Sequence, residues 1–174
     1  GKDSMSGTFN DIDVPPTLCS FAVDIAKTGD VVSPELKKAG NVLVKFDIEK
    51  DKYSLPVYDK LMSLYSKITD MIKSKVIVSA YGFGGICEAV SKMAFGNGLG
   101  VKIDESVDRD ELFAKEYGSI IAEVSADDLD KIMAEYKKIA LVTDDAEFVY
   151  GDAVISMKEA LENWTGKLES VFPT

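Results

Sequence analysis

Apolar positions recur along the chain with two periods, and these sort it into strands and helices. Residues 41–48 carry Val42, Val44, Phe46 and Ile48 at steps of two, which predicts a half-buried strand. Pro56 suits the first position of a helix. Val57, Leu61, Leu64, Tyr65, Ile68 and Ile72 then follow at steps of three and four, a single stripe running to about Ser74. Residues 75–80 read as a short apolar strand. Gly82-Phe83-Gly84-Gly85 turns the chain into a second helix marked by Ile86, Val90 and Met93 and closed at Gly96-Asn97-Gly98. Further strands are expected at 99–103, 119–124, 139–143 and 147–150, with a weaker one at 154–157. A short helix is expected at 110–115. A longer one is expected at 126–137, with Leu129, Ile132, Met133 and Tyr136 on one side. The tail, 157–171, presents Ala160, Leu161, Trp164 and Leu168 at helical spacing, so Trp164 reads as a core anchor.

Before residue 41 the pattern is less regular. Residues 1–14 are polar and rich in Gly, Ser and Asp, so they read as a loop. Pro15-Pro16 punctuates the entry to a β-rich run, 17–26, expected to be a buried strand. Ser33-Pro34-Glu35 resembles a capped helical turn ended by Gly40. Strands that alternate with helices imply an α/β or α+β fold, a mixed sheet covered by helices. No internal repeat or long linker divides the chain, so residues 1–174 are read as one domain.

With 46% hydrophobic residues over 174 positions, the chain can bury a sizeable core. Thirty acidic against twenty basic residues give a formal charge of −10, and no basic stripe interrupts it, so nucleic acid is a poor partner. No apolar run reaches the roughly 20 residues that cross a bilayer, and no signal peptide opens the chain, so no membrane partner is expected. The start at Gly1 leads us to expect an excised piece of a longer polypeptide. Cys19 and Cys87 are too few for a disulfide framework and read as buried thiols of a reducing, cytoplasmic setting. Histidine is absent. That removes the usual proton shuttle, the Ser-His and Cys-His pairs and the commonest zinc ligand.

The remaining motifs each admit a structural reading. Gly82-Phe83-Gly84-Gly85 lies between strand and helix, where backbone N–H groups can cradle a phosphate, but such turns also arise for steric reasons alone. Asp127-Asp128 suits a helix start and Asp144-Asp145 a turn, with acid–base chemistry as the alternative. The pairs Lys37-Lys38 and Lys137-Lys138 read as solvated faces. Gly1-Lys2-Asp3-Ser4 lacks the spacing of a nucleoside-triphosphatase loop. In it Lys2 could pair with phosphate, Asp3 with a metal or hydroxyl, and Ser4 could donate a hydrogen bond.

The opening Gly1-Lys2-Asp3-Ser4-Met5-Ser6 resembles the GKDSMS signature of the large phosphoribosylformylglycinamidine synthases, also called formylglycinamide ribonucleotide amidotransferases. Pro15-Pro16-Thr17-Leu18 is similar to their strand-opening segment. Gly84-Gly85-Ile86-Cys87-Glu88-Ala89 through Met93-Ala94-Phe95-Gly96-Asn97-Gly98-Leu99-Gly100 is similar to their glycine turn, helix and following strand. Ala160-Leu161-Glu162-Asn163-Trp164 resembles the closing helix before their glutaminase domain. These enzymes use ATP, Mg2+ and glutamine-derived ammonia to convert formylglycinamide ribonucleotide to the amidine in purine biosynthesis.

The resemblance implies a chain corresponding to the C-terminal domain of the second aminoimidazole ribonucleotide synthetase-like unit. Its partners would be the remaining synthetase domains, the glutaminase domain and the ribonucleotide. It further implies nucleotide contacts at Gly1, Lys2, Gly84 and Gly85, and substrate contacts at Ser4 and Asp3. No catalytic residue and no metal ligand is expected in this chain, which would be inactive alone. Two departures stand out. Lys2 occupies the place where smaller relatives carry a magnesium-binding Asn. Ala80 and Gly82 stand where large members often carry an Asp and a Ser that serve a structural nucleotide. The competing readings are a related synthetase of the same superfamily, or a standalone binding or oligomerisation module.

Overall fold

The computed structural model describes residues 2–82 and 84–170, and of Lys2, Asp3, Ser4, Phe9 and Leu168 the backbone alone. Two sheets form. The smaller is an antiparallel hairpin of β1 (Lys2–Phe9) and β2 (Ile12–Ser20). The larger has seven strands: β3 (Val42–Phe46), β4 (Ile77–Tyr81), β5 (Gly100–Ile103), β6 (Ile120–Val124), β7 (Lys137–Thr143), β8 (Glu147–Tyr150) and β9 (Ala153–Ser156). Their spatial order is β4-β6-β3-β7-β5-β8-β9, antiparallel throughout except for the parallel pair β5 and β8. Four helices accompany it: α1 (Tyr58–Lys73), α2 (Ile86–Asn97), α3 (Arg109–Phe113) and α4 (Met157–Thr165). The expected mixed sheet covered by helices is the observed architecture.

The sheet is packed on both faces. Val42, Val44 and Phe46 of β3 join Ile68 and Met71 of α1 in one cluster with Ala122 and Val124 of β6. Leu43, one position out of phase, enters the opposite cluster with Ile86, Val90 and Met93 of α2 and Ile139 and Val142 of β7. All five β3 positions are therefore buried, where the alternating pattern predicts a strand buried on one side only. A second helix layer makes the difference, because it covers the face that would otherwise meet water.

Several expectations about local structure are corrected. The segment 1–14 is not a loop: its described residues form β1 and the start of β2. The run 17–26 is not a buried strand either. Regular pairing ends at Ser20, and the whole of β2 is exposed. Residues 33–40 form bends and turns without a helix. The helix expected over 126–137 is a 3-10 turn, Ala126–Lys131, capped by Ser125, after which the chain straightens into β7. Lys137 and Lys138 then pair with Lys45 and Val44 of β3, and sheet pairing prevails over the helical spacing of Leu129, Ile132 and Met133. The tail helix ends at Thr165, followed by a 3-10 turn, Gly166–Leu168.

Among the described residues, no helix is long and apolar enough to cross a membrane.

Candidate functional site

A cleft of about 560 Å³ opens where α2 begins, between the loop after α3 and the body of α4. Gly84, Gly85, Glu88, Lys92, Phe113 and Trp164 are among its lining residues. Strand β4 delivers the chain to this point, and the glycine turn swings it into α2. Gly84 has a φ of +79°, a backbone state that L side chains rarely adopt. Gly85 is extended, but a Cβ there would collide with the carbonyl oxygen of Ala114. The backbone N–H of Glu116 also donates to the carbonyl of Gly84 at 2.5 Å. Both glycines thus have a steric reason to be glycine, namely the close approach of the segment after α3.

Electrostatics at the mouth of the cleft centre on Lys92. Its ammonium donates to Glu88 at 2.7 Å, one helical turn back on α2. It also lies 5.1 Å from the ring centre of Trp164 and 5.6 Å from that of Tyr81, within reach of both π faces. Hydrogen bonding to Glu88, then to Tyr81, raises the Lys92 pKa above the ordinary lysine value. Trp164 is 57% exposed, so it is no core anchor. Helix α4 ties itself to α2 through this cation and leaves the rest of the indole open to the cleft. Cys87 borders the same space, and burial pushes its thiol pKa up, partly offset by a hydrogen bond with Ser91. It stays protonated at neutral pH and is a poor nucleophile. Cys19, expected to be buried, is exposed on β2.

Beneath the glycine turn lies a charge network that the sequence did not announce. Lys45 of β3 is 4% exposed. Its ammonium is 2.9 Å from Asp47, 3.6 Å from Glu111 and 3.7 Å from Glu116. Burial opposes its charge, yet hydrogen bonding to Asp47 and the attraction of Asp47, Glu116 and Glu111 together raise its pKa. Lys50 reaches Glu116 at 3.4 Å and Lys137 reaches Glu111 at 2.5 Å. Lys45 alternates with Val44 and Phe46, so in a strand buried on one face it would point to water; no local signal marks it as buried. Lys137, read as part of a solvated face, is likewise drawn into an ion pair.

The residues nominated from the sequence fall in two places. Gly84 and Gly85 line the cleft. Lys2, Asp3 and Ser4 lie on β1 in the separate hairpin sheet, their side chains outside the described atoms, and Gly1 lies outside the described residues altogether. The described lining of the cleft includes no hairpin residue. None of the His, Cys, Asp and Glu side chains of the described residues form a group of three or more able to hold a metal. Glu88 and Glu116, the carboxylates beside the glycine turn, are engaged by lysines.

No protein-family profile matches the chain. A curated relative, phosphoribosylformylglycinamidine synthase subunit PurL of Pelagibacter ubique, is 27% identical over 199 aligned positions covering 97% of this chain. The chain spans only 27% of that relative's length. In fold it is similar to phosphoribosylformylglycinamidine synthase II of Thermotoga maritima. There the TM-score is 0.62 and the identity 15%, over 78% of this chain and 28% of the other. Structures of the Thermotoga protein complexed with ATP and with FGAR both give TM-scores of 0.61, at 15% and 14% identity. The hydrogenase maturation protein HypE of E. coli shares the fold at a TM-score of 0.53 and 13% identity, over 72% of this chain and 51% of that one. In sequence and in fold, then, the chain is similar to one part of PurL.

Proposed function

We propose that this chain is one domain of an ATP-dependent ligase that converts formylglycinamide ribonucleotide and glutamine to the amidine, and that it forms part of the nucleotide and substrate site. The observation that carries the reading is the PurL likeness along 97% of the chain, with GKDSMS at its head. The Thermotoga relative has been captured with ATP and with FGAR, which supports the same two ligands here. Gly1, Lys2, Gly84 and Gly85 would meet the nucleotide, and Asp3 and Ser4 the ribonucleotide. Other domains of a longer cytoplasmic polypeptide, including the glutaminase, would supply the ammonia, the remaining catalytic groups and any Mg2+ ligands.

In this reading the chain by itself carries no chemical step. It has no histidine, and the one thiol at the cleft is held protonated. The test compares the 174-residue chain with the complete polypeptide in an assay of amidine formation from ATP, glutamine and the ribonucleotide. Turnover is expected from the complete polypeptide alone. Turnover by the isolated chain, or none by the complete one, would overturn the proposal. Ser4→Ala in the complete enzyme should raise the KM for the ribonucleotide about tenfold or more, since a hydrogen bond to a charged group is worth about 1.5–3 kcal/mol.

A further inference from the structure

One wall of the cleft is held from beneath by a residue outside its lining. Phe113, Ala114, Lys115 and Tyr117 belong to that wall. Helix α3 ends at Phe113, and residues 114–119 form only bends and turns, so the wall has little regular structure of its own. Two of its backbone groups press on the glycine turn. The Ala114 carbonyl packs against Gly85, and the Glu116 N–H donates to the Gly84 carbonyl. Both ends of the wall also carry a carboxylate on the same cation. Glu111, in α3, and Glu116 lie 3.6 and 3.7 Å from the Lys45 ammonium, which Asp47 anchors at 2.9 Å just past the end of β3. Lys45, Gly84, Gly85 and Glu116 border one small cavity beneath the turn.

A buried lysine is a poor source of stability, because desolvation offsets most of its attraction to carboxylates and an apolar side chain packs as well. What the cation supplies here is definition. Lys50 and Lys137, 33% and 35% exposed, each engage one carboxylate of the wall, Glu116 and Glu111 respectively. Among the described residues Lys45 alone reaches both. A glycine turn has no side chains to fix its own shape, so the segment packed on it decides where its backbone groups point.

We propose that Lys45 is a positioning residue of the cleft: its ammonium locks the 111–116 wall against the glycine turn, and the affinity of the cleft for its nucleotide depends on that lock, although Lys45 touches no ligand. The inference rests on the reading of Gly84 and Gly85 as nucleotide contacts. A purely stabilising lysine behaves differently. Its loss lowers the melting temperature, while each molecule that remains folded binds as before.

The complete polypeptide is compared with its Lys45→Met, Lys45→Arg and Glu116→Gln variants in amidine synthesis, at a temperature where circular dichroism shows each to be folded. Lys45→Met should raise the KM for ATP about tenfold with kcat within about twofold of the parent, the mark of weakened binding. Lys45→Arg should recover most of the affinity, because a guanidinium keeps the charge and pairs with carboxylates. Glu116→Gln breaks the link nearest the turn and should raise the KM as well; it carries the test where Lys45→Met fails to fold. An unchanged KM in the folded variant overturns the proposal, and so does a loss that Lys45→Arg leaves unrepaired. Amide exchange of peptides spanning 112–118 is followed in the same samples. It should quicken in Lys45→Met, and unchanged exchange overturns the proposal whatever the kinetics. A parent that binds ATP but makes no amidine removes the synthetase reading alone; the calorimetric Kd for ATP then replaces KM, with the same outcomes deciding. A parent that binds no ATP overturns both.

Discussion

Glu123 Oε2 accepts a hydrogen bond from the backbone N–H of Lys37 at 2.7 Å, joining β6, next to the edge strand β4, to a loop 86 residues away in sequence. The carboxylate also accepts from the Lys38 N–H at 3.0 Å, the Asn41 side-chain amide at 2.7 Å and the Ser79 hydroxyl at 2.9 Å. It is fully buried, and these four donors take the place of water. The 33–41 segment, which has no helix of its own, is held to β6 by this side chain, while backbone hydrogen bonds of Leu36 with Met93 and of Gly40 with Val142 tie it to α2 and β7.

Glu123→Gln should therefore be costly despite its near-identical shape. The amide keeps one acceptor oxygen and turns an NH2 group toward donors, leaving buried N–H groups unpaired at about 1–3 kcal/mol each. We expect a loss of about 2–4 kcal/mol in urea unfolding. A loss below about 1 kcal/mol would show that the backbone hydrogen bonds of Leu36 and Gly40 hold the loop without the carboxylate.

The glycine turn separates two steric effects. Gly85→Ala forces a Cβ into the Ala114 carbonyl, a backbone group that cannot rotate away. Gly84→Ala meets the flexible end of Glu88 but must also adopt φ near +79°. Each should cost about 1–3 kcal/mol, with Gly85→Ala also loosening the segment after α3. Hydrogen exchange at Glu116, whose N–H bonds to Gly84, reads that loosening. Unchanged protection in Gly85→Ala would contradict the close approach.

Trp164 is the chain's single tryptophan, so its fluorescence isolates the α4–α2 contact. Because it is more than half exposed, Trp164→Ala should cost about 1 kcal/mol, well below the 3–5 kcal/mol of a core tryptophan. Lys92→Met should shift the Trp164 emission without unfolding the protein. An unshifted spectrum would place the ammonium away from the ring.

Lys45 gives a pH dependence whose sign follows from its raised pKa. The folded state holds the proton more tightly than the unfolded one. The resulting stability is fully present below the ordinary lysine pKa of about 10.4 and is lost as pH rises through the higher folded value. Melting temperature should therefore fall above about pH 10 more steeply in the parent protein than in Lys45→Met, which lacks the titrating group. Lys45→Met should itself be less stable at pH 7, since it removes the cation shared by Asp47, Glu111 and Glu116 and leaves Glu111 and Glu116 to Lys137 and Lys50 alone. Parallel pH profiles in the two proteins would exclude the mechanism.

Legibility in the sequence varied with the range of the interaction involved. The stripe from Leu61 to Ile72 and the glycine-bounded helix from Ile86 were readable because a helix repeats its own period, whatever lies across from it. Strands β3 to β8 were readable from short apolar runs between turn residues. The 126–137 segment departs from the expected helix because its apolar spacing suits a 3-10 turn equally well, and the chain then enters β7, which is paired on both sides by β3 and β5. Trp164 lies in the cleft and not in the core because helical spacing tells which residues share a face, not what that face meets. Glu123 left a faint trace, a lone carboxylate in the apolar run of β6.

By itself the sequence determined the mixed α/β class, the glycine turn, the absence of imidazole chemistry and, through GKDSMS and the glycine turn, the likeness to PurL. These depend on local periods, residue chemistry and contiguous motifs, all of which survive in one dimension. Only the tertiary structure decided that β3 is buried on both faces, that Lys45 sits among three carboxylates, and that Glu123 holds the 33–41 segment. It alone opened a cleft between Gly84 and Trp164. Each of these depends on groups distant in sequence meeting across the sheet, where the cost of burying a charge or a backbone amide is set by partners that no local pattern specifies.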